Sequence, residues 1–284
     1  MASHPPTTYM TVATPKISIV TPSYNQADYL NECLTSVKGQ NQTAIEHLVF
    51  DGGSSDGSVE IIRTFEDTLA HWESGPDGGQ TAAINKGLTR ASGDILCWLN
   101  SDDGLMPGAL AAVVENLPLD RPAWLVGRAE ARSASGRRGR IRVPQEVSQR
   151  TFIRYKEFWL PQPSVFWNRA MHEQVGLLSE SYNFVMDLDL FYRMFLITRP
   201  VITDQILSFY TVHPAAKTSA DPAGVDAEFA NWLSSQIDKQ NVSRTDVLRE
   251  FATVQRAQRT LREHVVISRV AKFWKRYINP DLWI

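Results

Sequence analysis

Gly93-Asp94-Ile95-Leu96-Cys97-Trp98-Leu99-Asn100-Ser101-Asp102-Asp103-Gly104 is the stretch whose reading decides the fold. Ile95 to Leu99 form a short unbroken apolar run, the pattern of a strand covered on both faces in an α/β sheet. The run stops at four small polar and acidic residues. A buried strand ending this way delivers Asn100, Ser101, Asp102 and Asp103 to its carboxyl end, where open α/β sheets bind ligands in a crevice. Paired carboxylates there suit a hard divalent cation, and such a cation suits a phosphate. A plain polar loop, with Asp103 turning the chain before Gly104, would use the same residues, so the surroundings must decide.

Upstream, Ile17-Ser18-Ile19-Val20 reads as a first strand, broken by Thr21-Pro22-Ser23-Tyr24-Asn25. Leu30, Cys33, Leu34 and Val37 then recur at helical spacing and mark one apolar face. His47-Leu48-Val49-Phe50 is a second strand, ending in Asp51-Gly52-Gly53-Ser54-Ser55-Asp56-Gly57-Ser58. Its glycines let the backbone approach a ligand closely, and Asp56 or Ser58 can cap the helix that carries Val59, Ile62 and Phe65. The loop has Asp at the sixth position, where an EF-hand needs Gly, and it lacks the Gly-Lys pair of a Walker loop. After His71-Trp72-Glu73, the segment Gly75-Pro76-Asp77-Gly78-Gly79-Gln80 leads into a helix through Ala83 and Ile84 to Leu88. Three strand-helix repeats and a fourth strand predict a parallel, nucleotide-binding sheet.

Downstream, Pro107 opens a helix through Leu110, Val113 and Val114, and Ala123 to Gly127 is a further strand. Arg128 to Arg142 reads as a hairpin around Ser135-Gly136 carrying Arg128, Arg132, Arg137, Arg138, Arg140 and Arg142, either a solvated basic face or a contact for an acceptor or anionic lipid. Ile206 to Val212 is a late strand ending in His213-Pro214, with Lys217 just beyond. The 29 basic and 31 acidic residues leave a net charge of −2, which gives no general attraction to nucleic acid. Cys33 and Cys97 lie in apolar patterns without metal-ligand spacing and read as buried, reduced thiols. Residues 1–15 resemble a flexible tail, and no apolar run reaches spanning length, so a cytoplasmic protein is expected.

Taken together, Ile17–Asn25, Phe50–Ser58, Gly75-Pro76-Asp77, Ala83–Gly87 and Leu99–Asp103 resemble the family 2 glycosyltransferases of the GT-A fold, with later segments extending the likeness over residues 16 to 218. The resemblance implies an α/β fold with a Rossmann-like mixed sheet and helices on both faces. Its nucleotide-binding half would span residues 16–118 and its acceptor half 119–220, followed by a helical extension over 221–284. It assigns Thr21, Pro22, Tyr24 and Asp51 to the nucleoside of a nucleotide-sugar donor (a UDP-, GDP- or dTDP-sugar), with Asp77, Gln80, Asn100, Ser101 and Asp102 completing the donor site. In the family the acidic motif after the fourth strand is Asp-x-Asp. Here the first carboxylate is the amide of Asn100, which leaves Asp102 as the ligand for Mn²⁺ or Mg²⁺, with His213 approaching the same cation. Losing one charge makes cation binding lean more on the donor diphosphate.

The family's catalytic base opens the helix after a Gln-Pro-x-x-Phe strand, here Gln162-Pro163-Ser164-Val165-Phe166, and that position is Asp187. The alternative reading of Asp187 is a simple helix cap. Asp189 reads as structural, pairing with Arg193. The function implied is metal-assisted, inverting transfer of a sugar to a glycan or lipid-linked acceptor in surface polysaccharide assembly. A nucleotidyltransferase acting on a sugar phosphate, or a catalytically degenerate sugar-nucleotide-binding scaffold, would use the same sheet. Between Arg244 and Arg276 nine basic residues face three acidic ones. Basic residues interleaved with Trp and Phe over 265–276 fit peripheral contact with the inner face of an anionic membrane, and packing on the catalytic domain or on a second subunit of a homodimer explains the same pattern.

Overall fold

The apolar run of the deciding stretch is strand β4 (Ile95–Trp98), every residue of it buried, at the middle of a nine-stranded sheet in a computed structural model. The structure describes residues 14–41, 44–142, 146–153 and 160–239, with 242–243, 245–246 and 249–250 beyond. The basic segment 265–276 and the tail 1–13 lie outside the described residues. β1 (Ile17–Ser23) pairs in parallel with β4 on one side and with β2 (Ile45–Asp51) on the other, and β3 (His71–Ser74) continues in parallel from β2. Beyond β4 the direction alternates. β8 (Val165–Asn168) runs antiparallel to both β4 and β6 (Trp124–Ser133). β9 (Val201–Val212) lies parallel to β6, and β5 (Asp103–Leu105) antiparallel to β9. β7 (Arg138–Arg142) hairpins onto β6. The single mixed sheet is as expected.

The crossovers are helices on both faces. α1 (Ala27–Lys38) buries Leu30, Cys33, Leu34 and Val37, the four residues whose spacing marked it. α2 (Ser58–Thr64) joins it over Val49, while Leu48 and Phe50 enter the larger core on the opposite side, as the period-two alternation of a strand requires. α3 (Gln80–Arg90) packs so closely on the sheet that a Cβ at Gly87 would stand 2.3 Å from Val20 Cγ1. α4 (Ala109–Asn116), α5 (Gln149–Ile153) and α6 (Arg169–Val175) follow. α7 (Met186–Ile197) lays Phe191 flat against Trp98 and Trp124, with Trp167 edge-on to Trp98. Such offset and edge-on rings fill a core and add about 0.5–1.5 kcal/mol per pair beyond area burial. After β9 come α8 (Lys217–Ala220) and α9 (Pro222–Asp238), which packs on α7 through Trp232 and Tyr192.

The parallel register sets the working edge. Ser23 aligns with Asp51, and Asp51 with Ser74, so the loops after β1, β2, β3 and β4 all open at one rim. β6 and β9 add Ser133 and Val212, aligned with each other, to the same side.

Candidate active site

At the first loops, glycine makes room for two polar groups. A Cβ at Gly52 would meet the Tyr24 ring at 3.2 Å and the Asp77 carboxylate at 3.3 Å, so both side chains lie over bare backbone. Tyr24 is 62% exposed and points to the rim instead of packing on α1. Asp77 accepts the Gly79 N–H (2.7 Å), a bond made available by Gly79 at φ 95, the left-handed residue ahead of α3.

The buried neighbours of this rim build its walls. Asp51 accepts four hydrogen bonds, from the Gly53 and Ser54 amides (3.1 and 2.9 Å) and from the Ser54 and Ser74 hydroxyls (2.5 and 2.6 Å). A strand-end carboxylate so engaged holds two loops together. Thr21, expected at the nucleoside, is 0% exposed, and its hydroxyl bonds His47 Nε2 at 2.9 Å. Its side chain therefore faces the core, and any contact of Thr21 with a ligand at the rim would be made by its backbone. Pro22 and Ser101 are buried as well.

The β4 tip centres on amides. Asn100 Oδ1 accepts from Gln80 Nε2 (2.9 Å), while its Nδ2 donates to Gln162 Oε1 (3.0 Å) and Asp103 Oδ2 (3.3 Å). Gln162 Nε2 in turn donates to the Trp98 carbonyl (2.9 Å). Burial, and after it the neighbouring Asp102, push the Asp103 carboxyl well above the usual carboxylate range. Asp102 itself reaches out to His213, with Oδ2 and Nε2 3.0 Å apart. His213 is buried and stacks on Tyr29 of α1 with ring centroids 4.5 Å apart, and its Nδ1 has no hydrogen-bond partner.

Gln80 carries the network on to α8. Its Oε1 accepts from Lys217 Nζ (3.0 Å), which stands over the Phe184 ring. Beside Gln80, Thr81 donates to the Met186 sulfur (2.7 Å), so the amino ends of α3 and α7 abut and Asp187 opens the second helix at this junction. Asp187 is not the N-cap, a position held by Val185. Burial raises its carboxyl to about 6; backbone N–H groups and Lys217 oppose the rise, and Glu228 adds to it. Asp189 accepts from Arg193 (2.9 Å) and from the Trp232 indole (3.1 Å). Lys86 pairs with Glu73 on the surface.

Whether these residues suit a divalent cation can be judged from the Asp102–His213 pair. Adjacent ligands of an octahedral ion with bonds of about 2.0–2.1 Å stand about 3 Å apart, which is the separation of these two atoms. Among the described residues no group of three or more His, Cys, Asp or Glu could hold a metal ion, so a cation at this pair would have to take its remaining ligands from phosphate oxygens and water.

Sequence reasoning missed Gln162 and Glu228 as parts of this site. Gln162 could have been noticed through its Gln-Pro pair. Glu228 carries no local signal. Of the hairpin arginines, Arg128 pairs with Asp204, and Arg132 with Glu130 and Glu32, so part of that basic face is balanced internally.

A mixed sheet whose loops open at one rim beside an acidic strand tip is the arrangement of a GT-A glycosyltransferase fold. The chain matches the family described as glycosyl transferase family 2 over residues 18–174 and belongs to it. A glycosyltransferase of Mycobacterium tuberculosis is 32% identical over 192 residues, 66% of this chain and 71% of that protein. The GalNAc(5)-diNAcBac-PP-undecaprenol beta-1,3-glucosyltransferase of Campylobacter jejuni is 28% identical over 109 residues, 36% of this chain and 34% of its own. Among solved structures, Staphylococcus aureus TarS superimposes with a TM-score of 0.60 at 18% identity, over 84% of this chain and 42% of TarS. TarS 1–349 with UDP-GlcNAc gives 0.57 at 20% identity, over 72% of this chain and 61% of the other. The Pyrobaculum calidifontis mannosyltransferase with GDP-Man and Mn²⁺ gives 0.52 at 17%, over 72% and 59%. The protein is therefore a glycosyltransferase. No helix among the described residues is long and apolar enough to cross a membrane.

Proposed function

We propose that the protein transfers a sugar from a UDP-, GDP- or dTDP-sugar to a hydroxyl of a glycan or lipid-linked acceptor, with inversion and with a divalent cation at Asp102 and His213. The observation that carries the reading is the Gln80 bridge. It joins the β4 tip through Asn100 to Lys217, whose charge acts on Asp187 at the start of α7, and so supports reading the Asp102–His213 pair and Asp187 as parts of one site.

Tyr24 and Asp77 line the rim where the nucleoside is held. The cation, when bound, neutralises charge building on the departing nucleoside diphosphate. Lys217 adds a fixed positive charge near that diphosphate. Asp187 receives the acceptor hydroxyl's proton. A carboxyl whose midpoint is about 6 is ionised at neutral pH and is still a stronger base than an exposed aspartate. Direct displacement by a hydroxyl that this one base activates inverts the anomeric carbon. The C. jejuni relative's lipid-linked acceptor supports an acceptor of that kind.

The test is a thermal-shift panel of nucleoside diphosphates and nucleotide sugars with and without Mn²⁺, followed by NMR of the product's anomeric centre. Binding to the native state raises apparent stability. A Mn²⁺-dependent shift for one base and an inverted product are expected. Metal-independent binding would remove Asp102 and His213 from their role, and binding without turnover across donors and acceptors would indicate a sugar-nucleotide-binding scaffold.

A further inference from the structure

α9 holds the amino end of α7 with one carboxylate. Glu228 Oε1 accepts the backbone N–H groups of Phe184 (2.6 Å) and Val185 (2.8 Å), and Oε2 accepts that of Asn183 (2.9 Å). Donors at a helix amino end lack partners within the helix, and a negative charge there complements the helix dipole. One helical turn further along α9, the Trp232 indole bonds Asp189, which in turn holds Arg193. The start of α9 is pressed against the same segment, for a Cβ at Gly224 would stand 2.8 Å from Phe184 Cε2. Three contacts from one helix therefore converge on the segment 183–189 around Asp187.

We propose that Glu228 is a positioning residue for Asp187: from α9 it fixes the backbone at Asn183–Val185 that presents the base, and it keeps a negative charge beside it. This rests on Asp187 being the base. A neutral Ser or Asn could satisfy a helix end, but a carboxylate also makes the neighbouring acid harder to ionise. The charged groups acting on Asp187 among the described residues are Lys217 from α8, which favours its ionised form, and Glu228 from α9, which opposes it. Lys217 feels the same two acids, so the three side chains form one electrostatic unit.

The test uses the full chain labelled with ¹³C at aspartate carboxyls, the Asp187 signal being assigned by its loss in Asp187→Asn. In Glu228→Gln the Asp187 midpoint is expected to move to lower pH, and the Asn183–Val185 amides to exchange roughly tenfold faster, the equivalent of one lost hydrogen bond. In Glu228→Asp, which keeps the charge but is one methylene short, the midpoint stays near that of the native protein while exchange still accelerates. A folded Glu228→Gln protein with an unmoved midpoint overturns the proposal. Should that variant fail to fold, native exchange rates in Glu228→Asp overturn it instead. Both readouts are independent of turnover, so if Asp187→Asn retains transfer the base assignment fails while the Glu228 contacts are judged separately.

Discussion

His47 makes acid a specific threat to the core beneath the strand tips. It sits in β2 with 3% of its surface exposed, its Nε2 on the Thr21 hydroxyl, and burial lowers its pKa from 6.5 to about 4. Between those values the unfolded chain binds a proton that the folded one excludes. Stability therefore rises with pH through this window and is lost as pH falls from 6.5 toward 4. At about 1.36 kcal/mol per unit, the 1.5 units from the unfolded midpoint down to pH 5 remove about 2 kcal/mol, a large part of an ordinary domain's margin of about 5–15 kcal/mol. His47→Gln removes the titration and leaves an amide able to bond Thr21. Urea unfolding of both proteins at pH 7 and pH 5 measures the effect. The native protein should lose about 2 kcal/mol more than the variant over that interval. Asp187, whose raised midpoint works in the opposite direction, is common to both and subtracts out. Parallel pH curves would refute the reasoning, because they would mean that His47 protonates as easily folded as unfolded.

Asp187→Asn should lower transfer by about 10²–10⁴-fold while nucleoside diphosphate binding, measured by calorimetry, stays within error. In the native enzyme the acidic limb of kcat/KM should lie near pH 6, the rate at pH 5 being about a tenth of its plateau, as expected for a base with the midpoint of Asp187. Asp102→Asn or His213→Ala should weaken Mn²⁺-dependent donor binding by more than the ~10–100-fold typical of losing an outer-shell partner, with metal-free binding little changed. Gly87→Ala drives a methyl against Val20 and Phe50 and should cost about 1–3 kcal/mol in denaturant unfolding, with no change in metal dependence.

What could be read from the sequence was whatever is written locally. The apolar face of α1, the buried run of β4 and the turn at Ser135-Gly136 each follow from spacing within a few residues, and the sheet follows from their alternation. The motifs at the strand tips indicated where the cleft would open. They could not say which way each side chain faces. Thr21 alternates into the core because β1 extends to Ser23, three residues beyond the apolar run, and only the partner strands decide that. The contacts that join the site join distant residues: Lys217 to Gln80, 137 positions apart, Asn100 to Gln162, 62 apart, and Glu228 to Val185 across two helices. No periodicity encodes such pairs, since they exist only once the sheet has ordered its strands.

The amide at position 100 restricts what the strand tip can tolerate. Asn100 gives and receives at once, its oxygen toward Gln80 and its nitrogen toward Gln162 and Asp103, so polarity runs in one direction from Lys217 to the Trp98 carbonyl. Replacing it with aspartate would set an anion against the oxygens of Gln162 and of a deeply embedded acid, and turning the Gln162 amide to donate to that anion would leave its oxygen facing the Trp98 carbonyl, which cannot donate. A substitution that restores the family's usual pair of acids would here short-circuit a wired relay of neutral groups.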